Sequence, residues 1–385
     1  MPVIPIGPFH PALKEPEFFK LYVKGEQVVG VDIRIGWVHR GIEKLSEGLT
    51  FEQIPFLVER ICGICSNVHP LCYVQAVEDI AQIEVPDRAR YIRVIIAELE
   101  RIHSHLLWLG VAGHLIGFDT LLMWAWKYRE PVLDLFELMT GNRQNYAMQA
   151  VGGVRYDIKP EHVPKILEVL KTVEKETKKA VGMVEGDPVT KKRLEGIGLL
   201  TTEQARDFCV VGPTARGSGL KIDVRRDDPY AAYGELSFDV PVYTSGDNLA
   251  RVLVRMDELL QSVELVRQAL DGLPRGEIRA EFKEVPPGEG IGRAEAPRGE
   301  DIHYVKTDGR NTPFRHKIRA PTYANLPALS VMLPNYTLAD AVITLGSIDP
   351  CFSCTERVAV VDVRTGKKRH LSEEELVEIS RKHGA

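Results

Sequence analysis

Two Cys-x-x-Cys pairs stand near opposite ends of this 385-residue sequence, Cys62-Gly63-Ile64-Cys65 and Cys351-Phe352-Ser353-Cys354. Thiolates three positions apart grip one metal ion from a single turn, and four thiolates suit zinc, iron–sulfur clusters or nickel, the soft end of the ligand scale. Zinc ribbons and knuckles keep their pairs within a few tens of residues, because there the metal itself folds a small module. Here most of the chain lies between the pairs. A site built from both must draw the two ends onto one core, and that reads as a catalytic centre in preference to a structural zinc site.

At this length one large body, or two interlocked ones, is expected rather than a string of modules. Hydrophobic residues at 44% and charged residues at 27% are globular values, and a net charge of −5 gives no electrostatic footprint for nucleic acid, which is dropped as a partner. The opening MPVIPIGPFHP has no basic region followed by an apolar stretch and a cleavage site, so the chain is expected to stay in the cytoplasm. Reducing thiol pools there argue against a disulfide framework for the six cysteines, although a hyperthermophile origin would relax that rule. The apolar stretch Leu106 to Trp126 is long enough to span a bilayer, but it carries three glycines, His114 and Asp119. It reads as a buried core helix.

Residues 19–34 alternate apolar and polar around Lys24-Gly25-Glu26, which predicts a β-hairpin. From about Asp87 to Gly141 a helical period dominates, opened by a Pro-Asp start and stopped by Gly141. Further helices are predicted over 160–182, 187–196 and 247–271, the last ending at Asp271-Gly272-Leu273-Pro274. Residues 274–325, rich in Pro, Gly and Arg, read as irregular loops and short strands. After Cys354 a strand over Arg357–Val363 turns at Thr365-Gly366, and a last helix opens with Ser372 and Glu375 as a capping box. The expected class is α+β, mainly α: an N-terminal β region over 1–45, a helical bundle over 46–273 with the first cysteine pair, an irregular loop and β segment over 274–346, and the second pair with a strand-helix tail over 347–385.

Gly288-x-Gly290-x-Gly292 lacks the dinucleotide-binding spacing and reads as a loop that lets backbone approach a partner. His103 and His105 read as hydrogen-bonded core histidines, Cys72 and Cys209 as small buried hydrophobes, and Trp108, Trp124 and Trp126 as core or interface. His69 shares the loop of the first cysteine pair, which places it beside a metal.

At Arg60-x-Cys62-Gly63-x-Cys65-x-x-x-His69 and Asp349-Pro350-Cys351-x-x-Cys354 the sequence resembles the nickel-iron hydrogenase large subunit. The resemblance implies that Cys62, Cys65, Cys351 and Cys354 hold nickel, two of them bridging to an iron with diatomic ligands. It implies that Arg298, in Glu295-Ala296-Pro297-Arg298-Gly299-Glu300, overhangs those ligands and that Thr322 donates to them. Glu15, as a proton relay, and Asp349 match family carboxylates near the metal. The blocks at 7–11, 39–45, 104–107, 152–155 and 212–219 are similar to the homologous subunit of respiratory complex I. Hydrogenase cysteines in such a frame resemble the membrane-bound, energy-converting branch of the family.

That branch implies a large subunit of a ferredoxin-dependent respiratory oxidoreductase coupled to ion translocation, held peripherally on the cytoplasmic side of the cell membrane. Its partners would be a small subunit with iron–sulfur clusters and membrane ion-pump and antiporter-like subunits, since this chain's cysteines cannot hold a cluster relay of their own. Processed hydrogenases of this type are cut three residues beyond the last cysteine, here after Arg357, whereas this sequence runs on from Val358 to Ala385. On that ground a nickel-free relative reducing sulfane sulfur is read ahead of a hydrogen-evolving enzyme. A non-catalytic, complex I-like coupling subunit is the third reading.

Overall fold

The alternation at residues 19–34 becomes a hairpin in the computed structural model of the chain, which describes residues 2–355, 360–361, 368–369, 375, 378–379 and 381–382. Strand β2 (Phe18–Lys24) runs antiparallel to β3 (Gln27–Arg34), and β1 (Val3–Ile6), which the sequence reading did not separate, adds to the free edge of β2. Successive strand residues face opposite sides. Phe19, Leu21 and Val23 are therefore buried together, in a cluster that includes Leu329, Met332, Leu345 and Phe352. The N-terminal sheet thus backs directly onto the segment of the second cysteine pair.

After the short helix α1 (Ile42–Ser46), helix α2 (Val68–Ala81) follows the first cysteine pair. The helical period predicted from Asp87 to Gly141 divides into α3 (Asp87–Leu115) and α4 (Asp119–Thr140). Gly117 takes a left-handed backbone at φ 88° and reverses the chain, a conformation open to glycine at little cost. Helices α5 (Val163–Gly186) and α6 (Asn248–Asp271) complete the bundle, close to their predicted spans, and a short helix lies at Pro188–Leu194. Asp247 caps α6 by accepting from Ala250 N–H. The core between these helices holds Ile92, Ile95, Leu99, Phe136, Leu170, Leu259 and Val266.

Residues 274–325 differ from the expectation. They contain an antiparallel three-stranded sheet, β4 (Gly288–Ala296), β5 (Gly299–Thr307) and β6 (Arg315–Arg319), with register Gly288↔Thr307 through Ala296↔Gly299 and Ile302↔Arg319 through Lys306↔Arg315. Gly-x-Gly-x-Gly is a strand, and what its backbone approaches is α2 of the same chain. A Cβ at Gly292 would stand 1.8 Å from the Cys72 carbonyl oxygen, and one at Gly290 2.3 Å from that of Ala76.

Helix α7 (Leu338–Ser347) leads into the second cysteine pair. Beyond it Val360–Val361 pairs antiparallel with Lys368–Arg369. The Thr365-Gly366 turn and the Ser372 cap lie outside the described residues. Among the described residues no helix is long and apolar enough to cross a membrane. Cys209 is exposed rather than buried, in a left-handed turn (φ 52°) after the helix Thr202–Asp207.

Candidate metal centre

Each cysteine pair is set by a turn tied to a distant part of the chain. The first closes on itself, with the N–H groups of Ile64 and Cys65 donating to Cys62 Sγ at 3.3 and 3.5 Å. The turn ends where α2 begins, and the first-turn N–H groups of Asn67 and Val68, which have no partner within the helix, donate to the buried Glu100 carboxylate at 2.6 and 3.2 Å. A carboxylate at a helix N-terminus satisfies its orphan donors and complements its dipole. The second pair follows a left-handed Asp349 (φ 53°), a residue type that tolerates this conformation. Cys351 N–H donates to Thr322 Oγ1 at 3.0 Å, and Ser353 N–H donates to Glu15 Oε2 at 2.9 Å. The Ser353 hydroxyl donates to the same carboxylate.

The sulfurs of Cys62, Cys351 and Cys354 lie within 4.8 Å of one another, with Cys351 and Cys354 2.9 Å apart. Cys65 hydrogen-bonds to Cys62, and its sulfur accepts from Arg298 Nη1 at 3.2 Å. All four cysteines are buried and free. Arg298 is fixed by Asp349, to whose carbonyl its Nε donates at 2.8 Å and to whose Oδ1 its Nη2 donates at 3.1 Å. Lys14 Nζ reaches the same Oδ1 at 3.1 Å. His69 Nε2 stands 3.3 Å from Cys354 Sγ. Cys65, Cys351, Cys354, Arg298, Thr322 and His69 line a small cavity of about 10 Å³.

Hydrogen bonds from Cys351, Cys354 and Cys65 pull the Cys62 thiol well below its ordinary value, with Arg298 adding to the effect. The hydrogen bond to Cys62 and burial push Cys65 well up. Burial alone would raise the Asp349 carboxyl, but the Arg298 guanidinium, Lys14 and Arg255 outweigh it and hold it at about 2. The site therefore already stabilises one thiolate beside a fixed guanidinium. Four convergent soft donors next to a cavity fit a thiolate-bound nickel-iron centre, and the cationic wall suits anionic or polar ligands on it.

The four cysteines, His69, Arg298 and Thr322 are thus brought together. Asp349 reaches the cavity through Arg298, and Glu15 through Ser353; neither lines it. His103 and His105 do not line the cavity: His103 packs against the Ile64 backbone of the first cysteine turn with its Nε2 3.0 Å from the Tyr146 hydroxyl, and His105 Nε2 lies 2.9 Å from Glu258. Trp108 is buried with its indole N–H on Gly346, while Trp126 is 42% exposed. Sequence reasoning missed Glu100, Asp301, His303 and His316, which are fully or almost fully buried. The signal for two of them was their place, three and five residues after Arg298 on one strand face.

Known proteins place this geometry in context. The family described as "Respiratory-chain NADH dehydrogenase, 49 Kd subunit" matches residues 116–285 and 279–357, and "Nickel-dependent hydrogenase" matches residues 40–120. The chain is similar to the membrane-bound hydrogenase subunit alpha of Pyrococcus furiosus, at 44% identity over 98% of this chain and 92% of the relative. It is similar to the carbon monoxide-induced hydrogenase of Rhodospirillum rubrum, at 42% identity over 92% and 99%. Among solved structures it resembles a chain of the membrane-bound sulfane sulfur reductase, an archaeal respiratory membrane complex, with TM-score 0.89 and 35% identity over 92% of this chain and 98% of that one.

Proposed function

Because this chain belongs to the family that joins the large subunit of membrane-bound nickel-dependent hydrogenases to the 49 kDa subunit of respiratory-chain NADH dehydrogenase, we propose that it is the subunit in which its complex combines electrons with protons to release hydrogen. It is an oxidoreductase subunit. The observation that carries the finer reading is the convergence of three buried sulfurs, Cys62, Cys351 and Cys354, with Cys65 joined to them through Cys62 and to Arg298, and Glu15 clamped onto the residue between the last two cysteines. A nickel-iron centre held by Cys62, Cys65, Cys351 and Cys354 would supply a soft, redox-active metal where protons are reduced.

The protein's own groups divide the remaining work. The Glu15 carboxylate accepts from both the amide and the hydroxyl of Ser353, which sets a proton-accepting group against the cysteine turn. Arg298 presents a fixed cation to the cavity, and Asp349 keeps the guanidinium in that orientation. Thr322 positions the Cys351 amide, and its hydroxyl faces the same cavity. Cys72 is buried on the backbone of Asp301 and Cys209 is exposed, so electrons must arrive from iron–sulfur clusters on a partner subunit, with ferredoxin as donor. In this reading membrane ion-pump and antiporter-like subunits complete the assembly, and the chain lies peripherally on its cytoplasmic side.

Sulfane sulfur reduction is the second reading, favoured by the likeness to the sulfane sulfur reductase chain. Both activities and the nickel content should be measured on the purified complex with wild-type chain and with Glu15→Gln. Hydrogen evolution that falls severely in the variant while nickel stays bound supports proton reduction. Sulfane reduction that persists unchanged in a nickel-free complex overturns it. A complex lacking both activities and nickel points instead to a non-catalytic coupling subunit.

A further inference from the structure

A second group of donors lies behind the cysteines, on the far side of His69. His69 Nδ1 is 2.9 Å from Asp301 Oδ2 and 3.1 Å from His303 Nε2, and His303 Nε2 is 3.6 Å from the same carboxylate oxygen. These three atoms belong to α2 and β5, and all three residues are at most 1% exposed. From the structure we infer a second metal site, a two-histidine, one-carboxylate zinc site formed by His69, Asp301 and His303. Nothing in the proposed redox role requires it.

The size of the triangle is the first argument. A circle through the three donor atoms has a radius of about 1.9 Å, so an ion slightly above their plane meets each at the 2.0–2.2 Å of zinc–nitrogen and zinc–oxygen bonds. Donor type is the second. Two imidazoles and a carboxylate, without sulfur, are what zinc takes when three protein groups leave a fourth position open. His69 and Asp301 both line the cavity beside the cysteines, so that position has room for water.

The hydrogen-bond pattern supplies a third and independent argument. Neither carboxylate oxygen of Asp301 has a well-aligned hydrogen bond, and the nearest donor is His69 Nδ1, 2.9 Å from Oδ2. A buried carboxylate served so thinly is costly unless a cation faces it, either a metal ion or the protonated His69 ring. On the other side the proton order is set from a distance. The Ser46 hydroxyl donates to the Glu43 carbonyl at 2.7 Å, so its oxygen must accept from His316 Nδ1 at 2.9 Å. His316 Nε2 then accepts from His303 Nδ1, also at 2.9 Å, which leaves His303 Nε2 with a lone pair aimed at the triangle. A ligating histidine commonly directs its second nitrogen to an acceptor, and His69 and His303 both do so, toward Cys354 Sγ and His316. The competing occupant is a single proton on His69 Nδ1 shared between the other two atoms.

The test uses the purified complex, incubated with Zn²⁺ and freed of excess metal, with zinc counted per complex and its shell read by X-ray absorption. The expected result is one zinc with only nitrogen and oxygen neighbours near 2.0 Å, retained in Cys351→Ser, whereas His303→Gln and Asp301→Asn each weaken zinc retention at least tenfold. A shell dominated by sulfur near 2.3 Å overturns the site, since the zinc then sits on the cysteines. So does a complex that retains no zinc, or retention indifferent to both substitutions; these leave the shared proton. The absorption spectrum of the wild type decides even if a variant fails to assemble, and it does so whatever the outcome of the hydrogen and sulfane assays.

Discussion

Alanine substitutions along β4 test whether the strand is truly pressed onto the helix that carries His69. In an ordinary strand, glycine to alanine stabilises by roughly 0.5–1 kcal/mol, because glycine loses more freedom on folding. At Gly292 the new Cβ would stand 1.8 Å from the Cys72 carbonyl oxygen, a helix backbone atom with no rotamer to change. The strand must retreat by well over an ångström, and overpacking of this kind costs about 1–3 kcal/mol or more. We expect about 3 kcal/mol of destabilisation for Gly292→Ala and about 2 kcal/mol for Gly290→Ala, whose Cβ would lie 2.3 Å from the Ala76 oxygen. Gly288→Ala meets only the Ile80 Cγ2 methyl at 3.1 Å, a contact relieved by a few tenths of an ångström of movement, so it should be close to neutral. Thermal unfolding of the purified complex should show that order, with Gly292→Ala lower by about 6 °C at roughly 2 °C per kcal/mol. Three variants of equal stability, or the reverse order, would refute the close approach.

Two further outcomes follow from the buried charges. Burial lowers His105 to about 4 despite the hydrogen bond it donates to Glu258, while an unfolded histidine titrates near 6.5. A depressed folded value stabilises above the unfolded one, so about 3 kcal/mol present at neutral pH should be lost progressively between pH 6.5 and 4, and His105→Gln should flatten unfolding curves in that window; an unchanged slope would remove His105 as the cause. Arg298→Lys keeps the charge but cannot serve the Asp349 carbonyl, its carboxylate and Cys65 Sγ at once, so turnover should fall about 10–100-fold with nickel still bound, and wild-type turnover would contradict the role given to the guanidinium.

What could be read in advance was local chemistry. The hairpin at 19–34 announces itself because one face alternates onto a core, and the start of α6 because Asp247 accepts from the backbone of its first turn. The cysteine pairs are legible from residue type alone. Arg298, Thr322, Glu15 and Asp349 are not; they came from resemblance, since no spacing rule links a loop at residue 15 to a turn at residue 353. The period through Gly117 looks continuous because both helices bury apolar residues on either side of the break.

Strand β5 shows why the rest was hidden. Along Gly299–Thr307 the fully buried positions alternate, as in any half-covered strand, but they include Asp301 and His303, while Ile302 and Tyr304 take the less buried face. Hydrophobic periodicity therefore points to the wrong side of this strand, and the glycines of β4 erase the signal of its neighbour. The inversion has a physical cause. Val305 on the inner face joins an apolar cluster, but at Asp301 and His303 that face meets the backbone of α2 and the histidines beside the cysteines, where polar groups satisfy one another and side-chain size is limited by the close approach of β4. A strand whose polar face is the buried one has been shaped by a site rather than by a core, and that holds before any metal or substrate is assigned to it.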